Sequence, residues 1–150
     1  MLRIINRIAE YLSNEIVEVP TKATPEAVGA PQFYDMTEAQ GIILLWLDSV
    51  PNYVDPNKKL ESDDFRTHIY QRSMLLILSI GMKTVGGSPK LDELVEKIEQ
   101  KLVHLKVGDF SPLRPVSISK IMIDGNNVFW RQMIFETRQK IVGHPVSISL

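Results

Sequence analysis

An alternating pattern of side chains marks the segment from Val128 to Arg138 as a β-strand. Successive side chains of a strand point to opposite faces of its sheet, so every second residue shares a face. One face carries Val128, Trp130, Gln132 and Ile134, and the other carries Phe129, Arg131, Met133 and Phe135. Because both sets include large apolar side chains, the pattern predicts a strand that is covered on both faces. A helix is expected on one face, and another subunit or a loop on the other.

The same kind of pattern predicts three more strands and two helices. Short continuous apolar runs predict buried strands, whereas apolar residues at every third or fourth position predict amphipathic helices. The second helix has clear end signals, with Ser88 as N-cap, Pro89 at the first helical position and Gly108 as the C-terminal cap. In chain order the predicted elements are a helix over residues 2–14, strands at Gly41–Asp48 and Tyr70–Met82, a helix from Ser88 to Gly108, and strands at Val116–Ile123 and Val128–Arg138.

The order of these elements predicts the fold class. Asp124-Gly125 between the last two strands predicts a tight turn, since glycine readily adopts the positive φ that hairpin turns need. The last two strands are therefore expected to pair antiparallel. The order α-β-β-α-β-β predicts an α+β fold, a mostly antiparallel four-stranded sheet with two helices packed on one face. A chain of 150 residues suits a single domain over residues 1–150.

Three segments are expected to lie outside the regular elements. Residues 19–41 contain several prolines and glycines and residues 49–68 are polar, so both are expected to be long loops. Residues 144–150 form an extended tail with the composition of a strand but no evident partner. Its Pro-Val-Ser-Ile-Ser sequence also occurs at 115–119. The tail either adds to the sheet edge of a neighbouring subunit or is a frayed terminus.

Composition and charge argue against several classes of protein. Hydrophobic residues are 44% and charged residues 23%, as in ordinary globular proteins. The 17 basic and 18 acidic residues give a net charge of -1, which offers no electrostatic case for binding nucleic acid or a membrane. There is no cysteine for disulfides or thiolate chemistry. The apolar runs are too short to span a bilayer and no signal peptide is recognisable, so we expect a cytosolic protein where it is made.

No arrangement of residues predicts catalysis or metal binding. His68, His104 and His144 fall on a predicted loop, a helix end and the tail. Asp63-Asp64 lacks further ligands at useful spacing, so a solvated acidic turn is expected there. The sequence contains no Gly-x-Ser-x-Gly, His-Glu-x-x-His or Gly-x-Gly-x-x-Gly motif. We therefore expect no catalytic residue, no cofactor and no bound metal.

A short motif follows the Asp-Gly turn of the C-terminal hairpin, which runs from Leu113 to Arg138. The motif residues are Val128, Trp130, Gln132, Phe135, Glu136 and Thr137. This hairpin resembles the end of a family of small tail proteins from Mu-like contractile phages and prophages, in which a strand similar to Val-x-Trp-x-Gln-x-Phe-Glu-Thr follows an aspartate–glycine turn. One extra residue stands here between the glutamine and the phenylalanine. The upstream order of elements agrees with the family, but residues 19–41 have no counterpart.

The resemblance implies a tail terminator, similar in fold to the lambda-type terminator. Such proteins form a hexameric ring on the last ring of the tail tube, stop its polymerisation and present a surface to the head-side connector. The implied partners are other copies of the chain, the tail-tube protein, and the sheath and head–tail connector proteins. The implied location is the cytoplasm of the bacterial host during assembly, and then the virion tail. This role needs no catalysis, nucleic-acid recognition or membrane.

Contacts with other subunits and with the tube are expected from the 49–68 loop, the last strand and the tail. The expected interface residues are Tyr53, Asp55, Lys58, Lys59, Asp63, Asp64, Trp130 and Arg131. Without an interface role, Arg131 is expected to lie over aromatic rings or to pair with an acid such as Glu136. Alternative functions stay open: another neck or head–tail joining protein, or a small α+β ligand-binding domain or enzyme. A nucleic-acid-binding module is disfavoured by the balanced charge.

Overall fold

The structure is a computed structural model that describes residues 2–23, 40–48, 52–54, 68–83, 88–143 and 146–150. Within these ranges the chain forms two helices and one sheet of seven strands. The elements are α1 (Leu2–Glu15), β1 (Thr21–Ala23), β2 (Gly41–Leu47), β3 (Asn52–Val54), β4 (His68–Met82), α2 (Ser88–Leu102), β5 (Arg114–Ile118), β6 (Met122–Ile123) and β7 (Phe129–Gly143). Neither of the described helices is long and apolar enough to cross a lipid bilayer.

The sheet has more strands than the sequence predicts. Its strand order is β1-β2-β4-β7-β5, with β3 paired to β4 and β6 paired to β7. Only the β1–β2 pair is parallel among the described pairs. The predicted four-stranded sheet and its order α-β-β-α-β-β are therefore wrong. Two missed strands, β1 and β3, lie within 19–41 and 49–68, and each has three residues, too few to produce a periodic signal.

The predicted third strand is divided into two short strands, β5 and β6. The pairing of β5 with β7 shifts register at Val116, and the chain leaves the ladder before β6 begins. At the break, the Ser119 hydroxyl accepts a hydrogen bond from the Gln132 amide (2.8 Å) and donates one to the Lys120 carbonyl (2.9 Å). The Ser119 hydroxyl thus takes the place of a backbone acceptor, while the Ser119 amide still donates to the Gln132 carbonyl (2.8 Å).

Strands β4 and β7 form the centre of the sheet. Each has 15 residues, and the two pair antiparallel along their whole length. Both helices pack on one face of this pair and of β2, in a single apolar core. The most buried side chains of this core include Ile8, Leu12, Ile43, Leu45, Leu76, Leu78, Ile80, Leu91, Ile98 and Phe135. Since each fully buried aliphatic side chain contributes about 1.5–3 kcal/mol, this core provides most of the stability.

Helix α2 ends earlier than its sequence signals predict. It stops at Leu102, before Gly108. The residue with a left-handed backbone just after the helix is His104 (φ 63°), whose amide donates a hydrogen bond to the Leu113 carbonyl (2.9 Å). Gly108 also has a positive φ of 56°, but it lies in a later turn. The predicted role of Gly108 as helix cap is therefore wrong, because a histidine takes the backbone conformation that glycine usually provides.

Candidate assembly surface

The face of the sheet that points away from the helices, called the distal face, holds a second apolar cluster. Its buried members are Ile42, Leu44, Val128 and Trp130, with Trp46 partly buried against them. Met133 and Phe135 of the same strand belong instead to the core under the helices. The prediction that the last strand carries apolar side chains on both faces is therefore confirmed.

One row across the distal face explains why the indole of Trp130 is only 3% exposed. Ile42 pairs with Gly81, and Gly81 pairs with Trp130, so the three residues lie in line across β2, β4 and β7. A Cβ atom at Gly81 would lie 2.6 to 2.7 Å from three carbons of the Trp130 ring. Glycine in the middle of β4 therefore provides the space in which the indole lies against the backbone.

Asp124 connects the hairpin turn to this indole. Its Oδ1 accepts hydrogen bonds from the amides of Asn126 (2.8 Å) and Val128 (3.1 Å). Its Oδ2 accepts one from Nε1 of Trp130 (2.9 Å). A single carboxylate thus fixes both the backbone of the turn and the orientation of the large side chain that follows it.

These contacts change the ionisation of Asp124. Burial by itself raises the pKa of the carboxyl, but the hydrogen bonds from Trp130, Val128 and Asn126 stabilise the carboxylate more strongly. The pKa of Asp124 therefore lies below its ordinary value of 3.8. The group is an ionised acceptor throughout the neutral pH range.

Beside this cluster the distal face carries an apolar row that is only partly covered. Trp46, Ile77 and Ile134 lie in line across β2, β4 and β7, and each is half-buried. The Nε1 of Trp46 is buried and has no hydrogen-bond acceptor among the described residues. A half-covered apolar row of this kind is typical of a surface that contacts another protein.

The edge of the sheet at β5 and β6 exposes further apolar side chains. They are Val116 (52% exposed), Ile118 (43%), Met122 (50%) and Ile123 (61%). Strand β5 is last in the strand order, so its outer backbone edge has no paired strand in the described part of the chain. An uncovered edge of this kind can accept another strand.

The tail leaves the sheet after β7. Its first two residues lie outside the described ranges, and residues 146–150 form no helix or strand. The apolar side chains of Val146, Ile148 and Leu150 are almost fully exposed, and they alternate with Ser147 and Ser149. In an extended conformation the tail therefore has one apolar face and one hydroxyl-bearing face.

The structure separates the residues predicted to form an interface. Trp130 and Arg131 are adjacent on β7 and point to opposite faces; Nη1 of Arg131 lies 3.1 Å from Oδ1 of Asp92 in α2. Tyr53 lies on β3 beside Arg72 of β4. The remaining predicted residues, Asp55, Lys58, Lys59, Asp63 and Asp64, lie outside the described ranges.

Arg131 pairs with an acid, which is one of the two alternatives expected for it, but the acid is Asp92 of α2 and not the suggested Glu136. Arg131 and Glu136 stand an odd number of positions apart on one strand, so they lie on opposite faces of the sheet. Oε1 of Glu136 accepts hydrogen bonds from Arg114 (2.8 Å) and Arg138 (3.0 Å) on the distal face. These bonds leave a polar patch beside the apolar row of that face.

A cleft of about 520 Å³ opens on the helix side of the sheet. Among the described residues its lining includes three arginines, Arg3 and Arg7 from α1 and Arg72 from β4, and one carboxylate, that of Asp109. An excess of guanidinium groups attracts phosphate or carboxylate ligands. No group of three or more residues that could hold a metal ion occurs in the described part of the chain.

Sequence reasoning missed two features of this surface. The first is the space that Gly81 leaves for the indole; a glycine inside a predicted strand is the signal for such a close approach. The second is the exposed β5–β6 edge, which the sequence could not reveal because strand order is a property of the folded sheet.

No protein-family model matches the chain, and no curated protein matches its sequence.

Proposed function

We propose that this protein is a structural protein of a phage or prophage tail, a terminator whose copies form a ring on the end of the tail tube. The ring stops tube polymerisation and provides the surface to which head-side proteins join. The resemblance of the Leu113–Arg138 hairpin to tail terminators supports this specific role. The protein then acts in the host cytoplasm during assembly and remains in the virion tail.

The observation that carries the proposal is the apolar surface left uncovered on the β5–β6 edge and the tail. Seven large apolar side chains there are more than 40% exposed: Val116, Ile118, Met122, Ile123, Val146, Ile148 and Leu150. Apolar side chains exposed in this number on a small protein favour association with other protein surfaces. The half-covered row of Trp46, Ile77 and Ile134 adds a second surface, and a ring needs two different surfaces on each subunit.

The proposal is tested by measuring the mass of the full chain by size-exclusion chromatography with light scattering across a wide concentration range. We expect a closed species of about six times the 17.1 kDa of one chain, as the resemblance to terminator rings implies. Added to polymerising tail-tube protein from the same genome, it should shorten the tubes. A strict monomer at every concentration, with no effect on tube length, would refute the proposal.

A second candidate, a ligand-binding domain, is favoured by the arginine-lined cleft. Titration calorimetry with inorganic phosphate tests it directly. Binding that disappears in Arg3→Ala but persists in Lys22→Ala, a variant outside the cleft lining, would support this class. Such binding by a protein that stays monomeric would favour the ligand-binding domain over the terminator.

A further inference from the structure

We propose that residues 146–150 of one copy add as a strand to the outer edge of β5 in a neighbouring copy. The inference deepens the proposed function by naming the two surfaces that meet between adjacent subunits. For the closed ring it rests on that proposed function. The partner is a second copy of this chain, and the contact is made mainly by backbone hydrogen bonds.

The first support is a sequence that occurs twice. Pro-Val-Ser-Ile-Ser occupies 115–119 and again 145–149. In the first copy, its first four residues belong to β5 and pair with β7. In the second copy, the described residues 146–149 are exposed and form no strand. The same sequence therefore adopts a strand where its backbone has a partner and remains without regular structure where it has none.

The second support is the character of the acceptor edge. All five residues of β5 are exposed, and Val116 and Ile118 present apolar side chains beside the unpaired backbone. The alternate apolar side chains of the tail can pack on these two. The one charged side chain of β5, Arg114, is already paired with Glu136 (2.8 Å), so no unpaired charge is buried by the contact.

The third support is distance, which prevents the tail from covering β5 of its own chain. Strand β5 pairs with residues 133–136 of β7, whereas β7 continues to Gly143. At about 3.3 Å per residue, a returning tail needs about 23 Å to reach the level of Glu136. Residues 144–150 fully extended span about the same length. Even Leu150 would therefore only just reach the level where β5 begins, so residues 146–150 cannot lie along β5 of their own chain, and the β5 that they cover belongs to another copy.

A contact between a tail and an edge also has the symmetry that a ring requires. The donor surface differs from the acceptor surface, so each copy uses its tail on one neighbour and its β5 on the other. Such head-to-tail contacts produce closed rings when the rotation between copies closes.

The absence of cysteine makes this contact measurable by disulfide trapping. The acceptor is Ser117→Cys in a chain that lacks residues 146–150, and the donor is Ser147→Cys in the full chain. After mixing and mild oxidation we expect the mixed disulfide between donor and acceptor to form at least about tenfold faster than with the control acceptor Ser13→Cys, an exposed serine of α1. Equal rates for the two acceptors would overturn the inference.

Assembly measurements separate this inference from the proposed function. Deletion of 146–150 and the variant Ile148→Asp should each raise the concentration needed for assembly by at least about tenfold, which corresponds to 1.4 kcal/mol. Val17→Asp, at another exposed apolar position, should not change it. If the deletion variant assembles like the full chain, the inference fails and the terminator proposal stands. If the full chain never assembles, the terminator proposal fails.

Discussion

Asp124 is a carboxylate that connects a hairpin turn to a buried side chain. It accepts hydrogen bonds from two turn amides and from the indole of Trp130. Bonds to an ionised acceptor are stronger than bonds between neutral groups. The turn and the distal apolar cluster are therefore stabilised by the same charge.

We expect this charge to make part of the stability depend on pH. Since the pKa of Asp124 is lower in the folded state than its ordinary value of 3.8, its contribution is present above pH 3.8 and is lost as the pH falls through the lower folded value. Asp124→Asn should therefore lower the free energy of unfolding near neutral pH, and the difference from the wild type should shrink in acid. Urea unfolding at several pH values measures it.

The control for this prediction is Glu99→Gln, which alters an exposed carboxylate of α2 that is not part of the arginine-lined cleft. The difference in free energy of unfolding between this variant and the wild type should change much less with pH. A difference between wild type and Asp124→Asn that stays constant from neutral to strongly acidic pH would contradict the role assigned to the charge.

The backbone angles and contact partners of single residues were the least predictable features of this structure. The sequence correctly predicts a turn at Asp124-Gly125, but the positive φ belongs to Asn127 (58°). Asparagine adopts a positive φ more readily than most residues, so the turn can place this conformation at Asn127 instead of at Gly125. The partner of Arg131 could not be predicted either, because Asp92 approaches it from α2, far away in sequence.

At the scale of elements, the pairing of β4 with β7 determines both faces of the sheet. It places Leu76, Leu78 and Ile80 under the helices, and it places Gly81 beside Trp130 on the distal face. The glycine and the tryptophan therefore act as one packing unit across two strands.

We expect Gly81→Ala to destabilise the protein by about 1–3 kcal/mol, because its Cβ would overlap the ring of Trp130. Trp130→Ala should cost about 3–5 kcal/mol, since it empties a buried site. The double variant should cost less than the sum, because the overlap requires the ring. Chemical unfolding of the four proteins measures this cycle.

Gly125→Ala is the matched control, because an added Cβ there meets no atom within 4 Å. Its effect on the free energy of unfolding should be small. Additive effects of Gly81→Ala and Trp130→Ala would show that the two residues do not share one space.

Long elements could be predicted from sequence and short ones could not. The apolar runs of β2 and β4 and the two-faced pattern of β7 mark strands because burial repeats over many residues. Strands β1 and β3 have three residues each and exist only because β2 and β4 offer them an edge. Their stability comes from the sheet that they join, and local sequence carries little trace of it.

At the scale of the whole molecule, the protection of the chain from solvent falls from the centre of the sheet to the tail. Strand β4 is flanked by β2 and β7, and its middle residues are buried under the helices. Residues 146–150 have almost fully exposed apolar side chains and no regular structure. Local opening therefore costs most at the centre and least at the tail.

Hydrogen–deuterium exchange of the dilute monomer should follow this gradient. We expect the slowest exchange in the middle of β4 and β7 and the fastest in 146–150. At concentrations that favour assembly, exchange should slow in the tail and in β5, while α1 serves as an internal control and changes little. Tail amides as protected as those of β4 in the monomer would contradict the gradient.

The position of the two tryptophans gives the molecule an optical reporter of its own. Trp46 and Trp130 are the only tryptophans in the sequence, and both lie on the distal face. The indole of Trp130 is already shielded from water, whereas that of Trp46 is partly exposed. A blue shift in fluorescence emission when copies join would therefore come chiefly from Trp46, and an unchanged spectrum would indicate that this face remains in water.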